Sequence, residues 1–142
     1  MDTVFTKIIE GSIPSTKLYE DALCLAILDI NPMNKGHALV ICKESHPTIA
    51  ECPDDILGHL LSVAKLLDAQ MRSAIGAEAT NILINNGPAA GQEVPHLHIH
   101  VIPRYFKDKK RLSLTKEQYG PSEMAAYGEK LRIQTPSGST QQ

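Results

Sequence analysis

The sequence predicts an α+β fold in which a five-stranded antiparallel sheet carries one long helix across one face. Three observations support this prediction. Five short segments are rich in β-branched and aliphatic residues, which is typical of strands. One segment of about twenty residues repeats its apolar positions at helical spacing. Asn, Gly and Pro cluster in the connections between these segments.

The amino-terminal third is predicted to contain a short helix and three strands. Residues 4–10 carry their apolar side chains on one helical face. Strands are predicted at residues 17–20, 23–28 and 37–42. The second of these strands is almost wholly apolar, so we expect it to be buried on both faces of the sheet.

The long helix is predicted to begin at Pro53 and to end at about residue 75. Asp54 and Asp55 suit the exposed N–H groups and the dipole of its first turn, and Gly76 is a typical stop. We expect His59 on this helix to be an ordinary surface or packing residue. The apolar positions that recur at helical spacing are Ile56, Leu57, Leu60, Leu61, Val63, Ala64, Leu67 and Met71.

Two further strands and a weaker helix complete the prediction. The strands are placed at residues 81–85 and 96–103. Residues 107–111 form a charged connection that is expected to be solvated. Residues 122–132 are predicted to form a helix with Ser122 as its cap.

We expect a single domain over residues 1–134. Its motif-bearing core spans about 4–104, and a carboxy-terminal extension covers 105–134. Residues 135–142 are polar and rich in Ser, Thr and Gln, and they are expected to be disordered.

Composition excludes several classes of protein. A chain of 142 residues that is 42% hydrophobic can bury a sizeable core. Its net charge of −2 disfavours extended nucleic-acid binding, and it has neither a signal-peptide core nor an apolar run that could span a membrane. Cys24, Cys42 and Cys52 are odd in number, which favours reduced thiols in a cytoplasmic protein.

Three histidines alternate in one predicted strand. His96, His98 and His100 would share one face of an extended strand, with neighbours roughly 6.5–7 Å apart. Imidazoles titrate near neutral pH, so such a row can attack, transfer protons or hold phosphate. The strand by itself favours catalysis and metal binding about equally. The alternate residues, which would face the core, are Leu97, Ile99 and Val101.

A loop at residues 85–95 precedes the histidines. It contains Asn, Gly and Pro, and it is longer than most hairpin connections. Its backbone N–H groups could bind an oxyanion beside the amides of Asn85 and Gln92. A solvated turn is the alternative, and the loop considered alone favours that alternative.

Taken together with segments further upstream, the chain resembles the histidine triad (HIT) nucleotide-binding proteins, whose signature is three histidines at alternate positions. The resemblance covers about residues 4–104 and implies the HIT fold and its pairing into a ten-stranded dimer. The matching blocks, in family order and spacing, are Lys7-Ile8-Ile9 with Ile13-Pro14, Asp29-Ile30 with Pro32, His37 through Ile41 with His46, and Gly91-Gln92 with His96 through Val101.

The resemblance assigns nucleophilic attack on an α-phosphate to the middle histidine, His98. It implies that His37, His96 and His100 provide orientation and charge stabilisation around it. A nucleotidyl-histidine would form and then be hydrolysed by water.

The resemblance also assigns residues to nucleotide binding. Asp29 matches the ribose-binding acid, and Asn85 matches a position that contacts phosphate or ribose. Ile27 replaces an aromatic residue of the phosphoramidase branch, which predicts weaker stacking on the base. The positions that correspond to the base pocket are Phe5, Ile8, Ile27, Leu28, Ile30 and Leu39.

Two departures from the family pattern affect these assignments. Glu93 stands where relatives have a hydroxyl near the leaving group, so either Glu93 or Gln92 would lie nearest that group. Thr3 and Thr6 stand where some microbial relatives have two zinc-binding cysteines. We therefore expect no structural zinc and no cofactor.

The predicted function is hydrolysis at the α-phosphate of purine nucleoside phosphoramidates or related nucleotidyl conjugates, by a cytoplasmic homodimer. A complete histidine triad favours hydrolysis over nucleotidyl transfer. A dinucleoside-polyphosphate hydrolase with the same site is one alternative. A nucleotide-binding adaptor with incidental turnover is another, and a metal-dependent enzyme is disfavoured.

Overall fold

The computed structural model describes residues 2–112 and 114–135. The chain divides into two compact units, with the boundary between Lys109 and Lys110. The first unit contains seven helices and strands: α1 (Val4–Glu10), β1 (Lys17–Glu20), β2 (Cys24–Leu28), β3 (Ala38–Cys42), α2 (Asp54–Ala74), β4 (Ala79–Leu83) and β5 (His98–Arg104). The second unit contains α3 (Glu123–Leu131).

The five strands form one antiparallel sheet in the order β1-β2-β3-β5-β4. The last strand of the chain therefore lies between β3 and β4. This arrangement confirms the predicted α+β fold with five antiparallel strands. Its functional consequence is that β5, which carries two of the histidines, is supported by a strand on each side.

One face of the sheet, here called the helix face, packs against α2. The helix presents an apolar stripe to the sheet, as its periodicity predicts. Burial of this stripe provides most of the hydrophobic core. The sheet residues that contribute to this core are Cys24, Ala26, Ala38, Val40, Cys42, Ile99 and Val101.

The opposite face, here called the histidine face, is partly covered by α1. Phe5 and Ile8 of this short helix pack on four strand residues: Leu25, Ile27, Leu39 and Ile41. The Thr3 hydroxyl accepts hydrogen bonds from two N–H groups of the first turn. Gly11, at a φ of 87°, ends the helix in the left-handed conformation. These caps fix both ends of the seven-residue helix, which lies beside the histidines.

The observed bounds of β5 and β4 differ from the predicted bounds by two residues. β5 begins at His98 because the residues before it bond elsewhere: the Leu97 N–H donates to the His46 carbonyl at 2.7 Å. β4 begins at Ala79, which is paired with Arg104 at the far end of β5. Partner strands therefore decide where each strand ends, and a local pattern does not contain that information.

The three cysteines are buried and form no disulfide bond, as expected for reduced thiols. Burial, as the largest cause, raises the pKa of Cys24 to about 12 and that of Cys42 to about 11. Both thiols therefore remain protonated at neutral pH, which makes them poor nucleophiles.

The second unit contains the predicted carboxy-terminal helix. Ser122, at a φ of 64°, makes no side-chain cap hydrogen bond, so its predicted capping role is wrong. Instead, the Glu123 carboxylate accepts the N–H of Gly120 at 2.8 Å. The predicted disordered tail, apart from Thr135, lies outside the described residues. In the ranges 2–112 and 114–135, none of the helices has the length and hydropathy needed to cross a membrane.

Candidate active site

The pairing register places two of the histidines on the histidine face of the sheet. His98 is paired with Ile41 of β3, and His100 lies between Leu39 of β3 and Leu83 of β4. Because alternate residues of a strand share a face, both imidazoles lie on the side that α1 partly covers. This face is the candidate active site.

His98 is held in a single tautomer. Its Nδ1 lies 2.7 Å from the backbone carbonyl oxygen of His96. A carbonyl can only accept a hydrogen bond, so Nδ1 carries the proton and Nε2 keeps its lone pair. Burial, the main cause, lowers the pKa of His98, which favours the neutral ring. His98 therefore has the two properties that a nucleophilic imidazole needs.

The ring of Phe5 holds the His98 imidazole from the side of α1. The two ring centroids are 4.7 Å apart, and the planes meet edge to face at 70°. The His100 ring contacts the other side of His98, with its centroid at 5.0 Å. The orientation of the His98 ring is thus determined by one hydrogen bond and two ring contacts.

A second chain of hydrogen bonds determines the tautomers of His37 and His100. The backbone N–H of Met33 donates to Nδ1 of His37 at 3.0 Å. In neutral His37 the proton is then on Nε2, which lies 3.0 Å from Nδ1 of His100. His37 donates across this contact, so neutral His100 carries its own proton on Nε2. Burial, as the first cause, lowers the pKa of both rings.

Asp29 lies next to this pair of histidines. Its Oδ2 is 3.6 Å from Nε2 of His37, and its Oδ1 accepts the N–H of Asn31 at 2.8 Å. The Asp29 N–H also donates to the His37 carbonyl at 2.9 Å. The connection between β2 and β3 therefore brings a carboxylate to the edge of the site, where it can accept hydrogen bonds from hydroxyl groups.

His96 lies in a different environment from the other histidines. It precedes β5, and its side chain is fully buried. Its Nε2–H donates to the Cys42 carbonyl at 2.6 Å, and its Nδ1 has no hydrogen-bond partner among the described residues. Its backbone carbonyl, as described above, orients His98. His96 thus contributes to the orientation of the His98 ring through its backbone.

Gln92 and Glu93, the two residues expected nearest the leaving group, lie in different surroundings in the loop before β5. The Gln92 amide oxygen accepts the N–H of Gly87 at 2.8 Å, and its nitrogen donates to the Pro47 carbonyl at 2.6 Å. Gln92 therefore holds the loop together. Burial lowers the pKa of His100, and the negative charge of the exposed Glu93 side chain partly opposes that shift. Asn85 is half-buried just after β4.

The structure brings together four of the six residues predicted to form the base pocket. These four, Phe5, Ile8, Ile27 and Leu39, belong to one buried cluster on the histidine face. Leu28 is paired with Ala38, a residue of the core beneath α2, so it belongs to the opposite face. Ile30 is 91% exposed in the connection between β2 and β3.

A polar network that the sequence analysis missed supports the segment that carries His37. The Asn34 amide donates to the Pro103 carbonyl and to the Asp108 carboxylate, both at 2.9 Å. The Arg104 guanidinium donates to the same carboxylate at 2.9 Å. Asn34 and Asp108 are 74 positions apart, so no local pattern connects them. The Asn34 carbonyl in turn accepts the N–H of His37 at 3.0 Å.

The side chains of Asp29, His37 and His100 could also surround a cation. Within the described residues, they offer one donor atom each, and these atoms lie within 4.8 Å of one another. However, Nε2 of His37 and Nδ1 of His100 already share a proton. This contact orients the two rings relative to each other, as chemistry by the histidines themselves requires.

Comparisons with known proteins show what this chain is similar to. Residues 10–107 match the HIT domain family. Adenylylsulfatase HINT3 of Arabidopsis thaliana is 47% identical over 107 residues, which are 75% of this chain and 54% of that relative. Adenosine 5′-monophosphoramidase hnt1 of Schizosaccharomyces pombe is 41% identical over 133 residues, which are 92% of this chain and 96% of that relative.

A solved structure is similar in fold over almost the whole chain. The crystal structure of a HIT family protein from Bacillus subtilis has a TM-score of 0.85 and 34% sequence identity, and the match covers 96% of this chain and 100% of that one. The family match spans more than half of the chain, and the S. pombe relative is more than 30% identical over nearly all of it. The chain therefore belongs to the HIT domain family.

Proposed function

We propose that this chain is a hydrolase that cleaves nucleotides at the α-phosphate through a covalent intermediate on His98. The observation that carries the proposal is the hydrogen bond from Nδ1 of His98 to the His96 carbonyl. This bond leaves the Nε2 lone pair free at neutral pH, which an imidazole nucleophile requires. The names of the two curated relatives, an adenylylsulfatase and an adenosine 5′-monophosphoramidase, support a hydrolase.

The proposed reaction has two displacements at phosphorus. In the first, Nε2 of His98 forms a bond to the α-phosphorus while the bond to the leaving group breaks, and the leaving group departs with its electron pair and takes up a proton from solvent. In the second, a water oxygen attacks the same phosphorus, the P–N bond breaks with its electron pair returning to Nε2, and the water releases a proton to solvent. The products are a nucleoside monophosphate and neutral His98. Splitting the reaction in this way replaces one difficult step by two easier ones.

His100 is proposed to stabilise the charge that develops on the phosphoryl oxygens. The hydrogen bonds from Met33 through His37 leave a proton on Nε2 of His100, on the same face as His98. A donor that is oriented before the reaction costs no reorganisation when charge develops. Asp29 would accept hydrogen bonds from the ribose hydroxyls, and the cluster around Ile27 and Leu39 would contact the base.

Purine nucleoside phosphoramidates and related nucleotidyl conjugates are the proposed substrates. The negative charge of the exposed Glu93, which acts on the His100 pKa, supports this choice over dinucleoside polyphosphates. A polyphosphate leaving group is highly anionic and would be repelled by this carboxylate, whereas an amine would not. Glu93 is therefore proposed to favour amine leaving groups over polyphosphates.

A substrate panel tests the proposed function. Purified protein is offered adenosine 5′-phosphoramidate, adenylyl sulfate and diadenosine tetraphosphate, each with and without EDTA. We expect the phosphoramidate to give the highest kcat/KM, with no loss on chelation, and mass spectrometry of a quenched reaction to show an adenylyl adduct on His98. Nucleotide binding without turnover would favour the adaptor, and preference for the tetraphosphate would favour the polyphosphate hydrolase.

The four histidines also predict an acid limit to activity and stability. Burial lowers the pKa of His37, His96, His98 and His100 below the ordinary value of about 6.5. The acid limb of the kcat/KM profile should therefore lie below about pH 6.5. Below that pH the unfolded chain binds protons that the folded chain excludes, so unfolding free energy should fall, by at most about 1.4 kcal/mol per pH unit for each histidine. Urea unfolding and kinetics between pH 5 and 8 check both expectations. An acid limb at or above about pH 6.5 would contradict them.

A homodimer is the proposed assembly. The sheet ends at β4, an edge strand whose Ile82 is a large exposed apolar residue, so a second copy has a surface on which to pair. Light scattering on a gel-filtration peak should give twice the 15.5 kDa mass of the chain. A peak at the mass of one chain over the micromolar range would reject the dimer.

A further inference from the structure

We propose that Asp21, Cys24 and His59 form a binding site for one Zn²⁺ ion between α2 and the helix face of the sheet. The proposal is independent of the proposed hydrolase function. Cys24 packs in the core under α2, whereas His98 lies on the opposite face of the sheet. The two sites therefore have the sheet between them.

Three different elements contribute the three proposed ligands. Asp21 lies in the turn between β1 and β2, Cys24 is the first residue of β2, and His59 lies in α2. Each offers one donor atom, and the three atoms lie within 4.8 Å of one another. Nε2 of His59 is already 2.6 Å from Oδ2 of Asp21. A small movement of these side chains would bring all three donors to zinc-binding distances of about 2.0–2.3 Å.

The carboxylate of Asp21 is oriented in advance for this role. Its Oδ1 accepts the N–H groups of Leu23 at 2.8 Å and Cys24 at 2.9 Å. The Asp21 N–H donates to the Cys24 carbonyl at 3.0 Å, which closes the turn. Oδ2 therefore faces His59, and the hydroxyl of Tyr19 donates to it at 2.7 Å. Such outer hydrogen bonds orient ligands in metal sites.

The chemistry of the donors selects the cation. One thiolate, one imidazole and one carboxylate suit a borderline-soft ion such as Zn²⁺, whereas Mg²⁺ and Ca²⁺ prefer all-oxygen sites. Zinc would displace the thiol proton of Cys24 and the proton between His59 and Asp21. The His59 side chain is 34% exposed, so water can reach the ion and act as the fourth ligand.

The sequence predicts an ordinary role for His59 and no structural zinc. The second prediction concerned Thr3 and Thr6, which stand where some relatives have cysteines. The proposed site uses different residues. Because Asp21 and His59 are 38 positions apart, only folding brings them together. The expected effect of the ion is to join the β1–β2 turn to α2.

Cobalt is the probe for the first experiment. The reduced, full-length protein is treated with a chelator, exchanged into chelator-free buffer and titrated with Co²⁺ while its absorption spectrum is recorded. We expect the thiolate-to-cobalt charge-transfer band and the visible bands of a tetrahedral site, saturating at one ion per chain. The cluster of Asp29, His37 and His100 contains no thiol, so it cannot produce the charge-transfer band.

Two cysteine variants provide a matched comparison. Cys24→Ser removes the proposed ligand, whereas Cys42→Ser changes an equally buried cysteine that is paired with Cys24 across the sheet. The charge-transfer band should disappear in Cys24→Ser and persist in Cys42→Ser. A wild-type protein without the band would overturn the proposal, as would a band that survives in Cys24→Ser or is lost equally in both variants.

His59→Ala keeps the test decisive if the Cys24 variant does not fold. His59 lies partly at the surface, and its removal should weaken Co²⁺ affinity by more than the about 10–100-fold that an outer-shell partner contributes. In a parallel thermal unfolding series, Zn²⁺ should raise the Tm of the wild type and not that of His59→Ala. Equal affinity or an equal Tm rise in both proteins would overturn the site.

Discussion

Replacing His98 by Asn is expected to lower kcat by at least about 10⁴-fold while nucleotide binding persists. Asn retains an N–H group that can reach toward the His96 carbonyl, but it has no nitrogen lone pair that can attack phosphorus. The buried polar environment is therefore kept while the nucleophile is lost. Single-turnover kinetics on adenosine 5′-phosphoramidate and calorimetry with AMP measure the two effects separately.

Phe5→Leu is the matched control for this variant. The side chain remains apolar, and the nucleophile is intact, but the ring edge that contacts His98 is removed. We expect kcat to fall by roughly tenfold, because an imidazole that is less well oriented spends less time in attacking geometry. If His98→Asn retained activity comparable to Phe5→Leu, or if the adduct formed on another residue, the assignment of the nucleophile would be wrong.

Replacing Asp108 by Ala is expected to cost roughly 3 kcal/mol of unfolding free energy. The Asp108 and Arg104 side chains are 8% and 17% exposed, so this ion pair is largely shielded from water. The variant removes the carboxylate that Arg104 and Asn34 both contact. Because Asn34 also supports His37, kcat/KM should fall by about 10–100-fold even at temperatures where the variant is folded.

Urea unfolding and steady-state kinetics of three variants test this prediction. Asp108→Asn keeps one acceptor oxygen but replaces the other with an NH₂ group and removes the charge, so it should lie between wild type and Asp108→Ala. Lys17→Ala removes the Lys17–Glu20 pair, in which Lys17 is 53% exposed, and should cost at most about 1 kcal/mol. If Asp108→Ala cost no more than Lys17→Ala, the network would not support the site.

Much of the fold could be predicted because its signals are local. The apolar period of α2 and the short apolar runs of β2 and β3 depend only on residues a few positions apart. Each element needs one apolar face to form a core, so the pattern of that face is present in the sequence itself. The bounds of β5 depended on a distant partner, His46, and were predicted two residues too early.

The sequence predicted which residues belong to the site better than it predicted how those residues are arranged. Alternation along β5 was enough to place His98 and His100 on one face. It did not predict the hydrogen bond that the His96 ring, just before the strand, makes to the Cys42 carbonyl. The role of Gln92 was equally inaccessible, since its partner Pro47 is 45 positions away.

The sequence by itself determined which chemical groups are present and which secondary structures carry them. It supplied the three alternating histidines, an acid at the end of β2 and the apolar periods that build an α+β core. Only the tertiary structure decided which nitrogen of His98 carries the proton, how His37 is joined to His100, and that Asp21 meets His59. The physical reason is that hydrogen bonds are directional and short. Two of these bonds join segments that are 63 and 38 positions apart, and the bond from His98 to His96 depends on a side-chain conformation that the packed core sets.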